Sequence, residues 1–348
     1  MRFRVRGSMV VLAAVLAAAP ACKKKPPAEG SPMSVTGLAA VPADAEAVIS
    51  FDVGRLVDSQ LVARAAELLL QREPGLAAQW SRLATACQID VRTQVSRVLL
   101  ALGPAQPKAG ARWLMVVTGD LPEARFALCV QNAAASGNGE LAVRTSGGRT
   151  FYTVKEAGRT IWFGFGQPDT VVLGVDQGWV EQALAAGPKL ADTGALRPLL
   201  ARADQAAPIW AAGMLDPKVT AGLVRSVGGA MKQGAKAVFL SVDPSTGLRF
   251  ELGADLHSED DAKALEEFAK TQNSVIAMAA QVVSLGPLVA KLATARNGTH
   301  VTFGLSLSMD EVNQLLRAID SPPEDPQDSA PAVDAAPSQG SGSGMRTK

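Results

Sequence analysis

Apolar and polar residues alternate with a period of two along many short stretches of this 348-residue chain, and with a helical period along others. Residues 46–53 (EAVISFDV) read as a strand, and Leu61, Ala65, Leu68 and Leu69 then recur at helical spacing, which predicts one buried face. Pro74-Gly75 breaks that helix, and a second is predicted over residues 76–87. Strands follow at 95–102 and 111–118, on either side of the turn-rich GPAQPKAG. Asp120 reads as an N-cap, with Glu123 at the capping-box position of a helix that carries Phe126 and Cys129. Short strands at 140–144, 151–154, 160–165 and 170–174 precede a helix capped by Asp176 and ending near residue 186.

The rest of the chain repeats the theme. A strand at 209–215 and a helix at 218–231 lead into a hairpin, 237–242 and 248–256, across DPSTG. A long helix opens at Ser258, with Leu265, Phe268, Gln272 and Ile276 along one side. After a strand at 301–307, Ser308 and Glu311 form a capping box for a last helix. Its Val312, Leu315, Leu316 and Ile319 fall at i, i+3, i+4 and i+7. Each half reads β-α-β-β-α-β with a trailing helix. That order predicts an α+β fold of two ferredoxin-like halves with antiparallel sheets and helices on one face. The first domain is expected over residues 41–188 and the second over 189–320, with 189–205 connecting them.

The ends of the chain differ in kind from this body. Residues 321–348 are dominated by Pro, Ser, Gly, Ala and Asp, and predict a disordered tail. At the other end Arg2, Arg4 and Arg6 precede 11 uninterrupted apolar residues, Met9 to Ala19. As a helix these reach only ~16 Å, about half of a bilayer's hydrocarbon core. Ala19-Pro20-Ala21 supplies small residues at the cleavage position of a secretory signal, and Cys22 follows directly. Residues 1–21 thus read as a signal peptide, and the Lys- and Pro-rich residues 22–40 as a flexible tether.

The arrangement from Arg2 to Cys22 resembles the lipobox of bacterial lipoproteins, with Ala19 where Leu is usual and Pro20 where Ala or Ser is usual. The resemblance implies that Cys22 is acylated and begins the mature chain. It also implies a membrane partner through the lipid, and a place in the cell envelope, anchored to the outer membrane and facing the periplasm or the cell surface. The chain further resembles uncharacterised lipoproteins of myxobacterial type through the VPADA entry to the first strand, Val41 to Ala45, and a mid-domain cysteine pair. This second resemblance implies no activity.

Charge narrows the function classes. The first 25 residues hold six basic side chains and no acid, which leaves 28 basic against 33 acidic residues in the remainder. No basic stripe remains to neutralise phosphates, so nucleic acid is not an expected partner. Cys87 and Cys129 are the only cysteines of the body, and an even pair in an oxidising compartment predicts a disulfide. They stand 42 positions apart, outside any Cys-x-x-Cys redox frame, so their expected role is structural.

Strand alternation places Arg249, Glu251, Asp255 and His257 on one outer face, and His300, Thr302 and Ser306 on another. Two imidazoles with a carboxylate can ligate zinc, but no His-x-x-x-His or Cys/His cluster is present, and a solvated face is the expectation. Glu259-Asp260-Asp261 is explained as a helix start that complements the macrodipole. Gly164, Gly166 and Gly228-Gly229 fit no phosphate-binding frame, and no G-x-S-x-G elbow occurs. Trp162 is expected to pack between the halves. No catalytic, metal or cofactor-binding residue is predicted. Two function classes follow: a non-catalytic envelope lipoprotein that binds an unknown envelope partner or ligand, and a periplasmic hydrolase using a carboxylate pair such as Glu251 and Asp255. The first is preferred, because the titratable groups read as an open face and not as a pocket.

Overall fold

The computed structural model describes residues 35–75, 78, 81, 90–104, 112–136, 139–156, 159–167, 169–227, 229–282 and 285–320. These fall into two compact units, divided at Val57/Asp58, Glu67/Leu68 and Met214/Leu215. The fold is α+β, and every ladder within each unit is antiparallel.

The first unit contains β1 (Ala47–Asp52), β2 (Val95–Leu102), β3 (Trp113–Gly119), helix α2 (Glu123–Ser136), β4 (Glu140–Ser146), β5 (Arg149–Glu156), β6 (Arg159–Gln167), β7 (Thr170–Gly174), α3 (Gln177–Leu184) and β8 (Ile209–Met214). Its sheet runs β8-β1-β2-β3-β7-β6-β5-β4. Helix α1 (Gln60–Arg72) precedes β2, and its residues up to Glu67 belong to the second unit. That unit adds α4 (Pro217–Ser226), β9 (Ala235–Asp243), β10 (Gly247–Leu256), α5 (Glu259–Val282), β11 (Ala293–Asn297), β12 (His300–Ser308) and α6 (Met309–Asp320). Its sheet runs β9-β10-β12-β11.

Among the described residues the predicted order of elements agrees with these ranges, with one strand added; the helix predicted over residues 76–87, save residues 78 and 81, and the tail predicted over 321–348 lie outside the described residues. β11 was not expected, and its presence changes the pairing. A ferredoxin-like half interleaves its strands as a split βαβ. Here the strand after α5 turns back at once, so that β12 reaches β10 running antiparallel, from Asp255↔His300 to Gly247↔Ser308. β7 meets β3 in the same way after α2.

The first core forms where α3 closes over the sheet. Asp176 caps α3, accepting from the Trp179 N–H at 2.8 Å. Trp179, Val180, Ala183 and Leu184 are buried where the helix meets β6 and β7, and Val48, Leu99, Leu114, Val116 and Val171 are buried in the same unit. The Trp179 indole N–H donates to Asp44 at 2.9 Å, and Arg112 lies over the ring while also pairing with Asp44. At the other end of α3 the buried Lys189 ammonium donates to the carbonyls of Gln182 (2.5 Å) and Ala183 (2.7 Å). A cation there satisfies groups that a helix C-terminus leaves open. Burial, and then the nearby Arg149 charge, hold the Lys189 pKa below its ordinary value. Residues 189–205, expected as a connector, bury Leu190, Leu196, Leu199 and Leu200 and lie within the first unit.

An aromatic cluster holds α2 to the sheet, with Phe126 edge-on to Phe163 and Phe165, and Tyr152 stacked on Phe163 at 4.7 Å. Glu123, expected in a capping box, instead accepts from the Tyr152 hydroxyl at 2.7 Å. Burial first, and that hydrogen bond second, push the Tyr152 pKa up to about 12. In the second unit Ala254, Leu256, Ala262, Leu265 and Val301 form one cluster, and Leu288, Leu307 and Val312 form another against which Leu61 packs. The Ser308–Glu311 capping box is present, with bonds of 2.8 and 3.4 Å. On α5 the predicted stripe holds only in part. Leu265 is buried, whereas Ile276 stands 50% exposed beside Val275 and Met278.

Candidate functional site

The chemistry-bearing residues of the second unit gather at the end of β10. Pairing of β10 with β12 sets Asp255 opposite His300, and pairing with β9 sets it opposite Ala237. The Asp255 carboxylate lies 2.9 Å from His300 Nδ1. The His300 ring stacks on Phe239, centroids 5.4 Å apart and 16° from parallel. Phe239 is itself buried, and it occupies the space above Gly253, where a Cβ would lie 2.1 Å from the ring. Glycine at 253 is thus what lets the aromatic ring lie flat and support the imidazole. Gly253→Ala is expected to cost about 1–3 kcal/mol by overpacking. Calorimetry would show it as a lower unfolding midpoint, partly restored by adding Phe239→Leu.

Glu251 does not join this group. It lies four residues from Asp255 on one strand, about 13 Å away at ~3.3 Å per residue, and it is exposed while Asp255 is buried. The two carboxylates therefore do not act as a pair, and the open outer face expected for this strand is closed at its Asp255 end.

His257 is exposed and separate from His300. Its neighbour is Asp261, the one member of the acidic run that turns inward. Ser258 caps α5 by accepting from the Asp261 N–H at 3.1 Å. The Asp261 carboxylate, 1% exposed, accepts the backbone N–H groups of Lys232 (2.6 Å), Gln233 (3.0 Å) and Gly234 (3.1 Å). Burial raises its pKa, but the three backbone hydrogen bonds and then the His257 charge outweigh this and leave it below the ordinary carboxylate value. Asp261 is a clasp between α5 and the turn before β9. Glu259 and Asp260 stay exposed at the helix start, as the macrodipole reading requires.

A shallow cavity of about 300 Å³ lies at the other end of the same sheet, lined by Asp243, Thr246, Arg249, Lys291, Ser306 and Ser308 among others. Lys291 is paired with Glu311 at 2.6 Å, whereas the Arg249 side chain makes no hydrogen bond or ion pair among the described residues. A free guanidinium beside hydroxyls suits a small anionic group.

The remaining predicted residues are dispersed. Gly164 and Gly166 lie within β6, pressed against Leu184 and the backbone of Val35. Trp162 is partly buried, with Arg144 5.9 Å from its ring. Cys129 is buried on α2. Its expected partner Cys87, and Cys22, lie outside the described residues. Among the described residues no three His, Cys, Asp or Glu side chains gather as metal ligands, and no helix is long and apolar enough to cross a membrane.

No family model matches the chain, and no curated protein matches it. Among solved structures it is similar to the protein TP0453 in its crystal forms I and III, with TM-scores of 0.42 and 0.45. Identity is 12% in both, over 82% of this chain and 98% and 99% of those chains.

Proposed function

We propose that this chain is a non-catalytic lipoprotein of the cell envelope, anchored through an acylated Cys22 and acting as a binding or structural module. The observation that carries the non-catalytic reading is the closed Asp255–His300–Phe239 stack. Its two titratable side chains are only 12% and 22% exposed and are engaged with each other, so neither stands free beside a pocket. General acid–base chemistry needs a group within hydrogen-bond reach of a substrate proton. The anchoring part rests on the signal-like residues 1–21 and the position of Cys22.

The reading of two like halves rests on a shared strand order. β2-β3-β7-β6 in one unit and β9-β10-β12-β11 in the other have the same antiparallel sense and a helix at the same place. This repeat is what we retain of the ferredoxin-like description.

The anchoring is tested by intact mass and fractionation of the expressed chain. Loss of residues 1–21 with added acyl mass is the expected result, and Cys22→Ala should release the protein from the membrane fraction. More than one acyl chain is required, because a single chain gives only marginal binding. A Cys22→Ala protein that still sediments fully with membranes overturns the reading.

A further inference from the structure

The sheet of the first unit ends on β4, whose outer edge pairs with no described strand. Edge strands are ordinarily guarded by Pro, by charged side chains (Lys above all), by a bulge or by a covering element. β4, with the sequence ELAVRTS, has no Pro, Lys or bulge, and its two charges, Glu140 and Arg144, are of opposite sign. Its ladder with β5 runs unshifted from Glu140↔Lys155 to Ser146↔Arg149, and six of its seven residues are exposed, Val143 at 60%. The two strands are joined by Gly147-Gly148, with φ +57° and +72°. A two-residue turn with both φ values positive makes the flanking Ser146 and Arg149 a hydrogen-bonded pair. Alternation then directs the peptide groups of Glu140, Ala142, Arg144 and Ser146 toward β5, and those of Leu141, Val143 and Thr145 outward.

We propose that β4 pairs antiparallel with β4 of a second copy of this chain, about a twofold axis through Ala142. The outward peptide groups restrict the possible axes to those that set odd-numbered residues opposite odd-numbered ones. With the axis at Ala142, Leu141 faces Val143 twice in hydrogen-bonded pairs, and Glu140 faces Arg144 twice in close non-hydrogen-bonded pairs. Moving the axis to Val143 sets Glu140 opposite Ser146 and leaves no charge pair. The five residues Glu-Leu-Ala-Val-Arg are therefore complementary to themselves when reversed, in charge and in shape, which a strand evolved for a different partner has no reason to be. Among the described residues the Glu140 side chain makes no hydrogen bond or ion pair. Arg144 is held in place by its ion pair with Glu181 and by the rings of Phe151 and Trp162, 5.8 and 5.9 Å away. A guanidinium has five N–H donors, so one carboxylate does not exhaust it. The pairing does not depend on anchoring or on the non-catalytic reading.

The test uses the full chain purified in detergent. Sedimentation across a concentration series should show a monomer–dimer equilibrium. Glu140→Arg should raise the dissociation constant about tenfold by turning both charge pairs into repulsions. Adding Arg144→Glu should bring it back, with thermal midpoints of all variants read alongside to exclude misfolding. Ala142→Cys places two thiols across the axis and should cross-link on oxidation well ahead of Ser146→Cys, with the wild type as blank. A chain that is monomeric throughout, a dimer indifferent to Glu140→Arg, or cross-linking no faster at 142 than at 146 overturns the proposal.

Discussion

Asp261→Ala should lower the unfolding free energy of the second unit by roughly 2–4 kcal/mol, since it strands buried backbone donors that each cost about 1–3 kcal/mol when unpaired. The donors at risk are the N–H groups of Lys232, Gln233 and Gly234, which bond to a carboxylate that is 1% exposed. Water entering the vacated space recovers part of the loss, which is why the figure is below the sum of three. The midpoint should fall by roughly 5–15 °C at about 2–4 °C per kcal/mol for a protein of this size. Asp261→Asn keeps the shape and one acceptor oxygen but directs an amide N–H₂ at N–H donors, so it too should destabilise. The pH dependence has a definite sign. The folded pKa lies below the ordinary 3.8, so the unfolded chain takes up the proton first as pH falls. Stability from Asp261 is therefore complete above about 3.8 and is lost as pH descends through the lower folded value. Calorimetry of wild type and Asp261→Asn should show a wide gap in midpoint at neutral pH, closing in acid. A gap that is constant down to low pH would mean that the carboxylate charge does not hold the turn.

This clasp also shows where sequence reading loses information. Glu259-Asp260-Asp261 has a sufficient local explanation as a helix start, and nothing local separates the one carboxylate that turns inward. The separation is made by a turn 27 to 29 residues away. Asp255 is similar. Alternation puts it on the outer face of β10, but Asp255, Ala254 and Leu256 are all buried, because this end of the strand is covered on both sides. Its partner His300 becomes visible only once the β10–β12 register is known, and Phe239 only once β9 is added.

Strands with a full run of alternating apolar residues, such as β1, β10 and β12, were legible within a residue or two. β11 was not, because Ala-Thr-Ala-Arg-Asn has no large apolar side chain and exposes four of its five residues. That one omission suffices to turn an interleaved expectation into the meander-like order observed. Capping chemistry read well where the polar residue acts on its own helix, as at Asp176 and Ser308, and poorly at Glu123, where the Tyr152 hydroxyl on a neighbouring strand claims the carboxylate.

The second large effect is expected from the cysteines. We propose that Cys129 is bonded to Cys87, closing a loop of about 43 residues. Cys129 is 5% exposed. On α2 it lies to one side of Phe126, Val130 and Ala134, which pack against the aromatic cluster. In the chain-entropy account, closing a loop of that size removes unfolded-state freedom equivalent to about 4 kcal/mol, less any native strain. That is comparable with the whole net stability of many domains. Reduction, or Cys87→Ala with Cys129→Ala, should lower the midpoint of the first unit by roughly 8–16 °C and spare the second. Reduction deletes no side-chain atom beyond the S–S bond, so it separates loss of the link from loss of packing at a buried site. The decisive measurement is peptide mapping of the unreduced protein after proteolysis. A fragment joining the segments around Cys87 and Cys129 is the expected product. A fragment joining Cys129 to Cys22 would move the link to the anchor region, release residue 87 as a free thiol, and remove the predicted dependence of the first unit on the 87–129 loop.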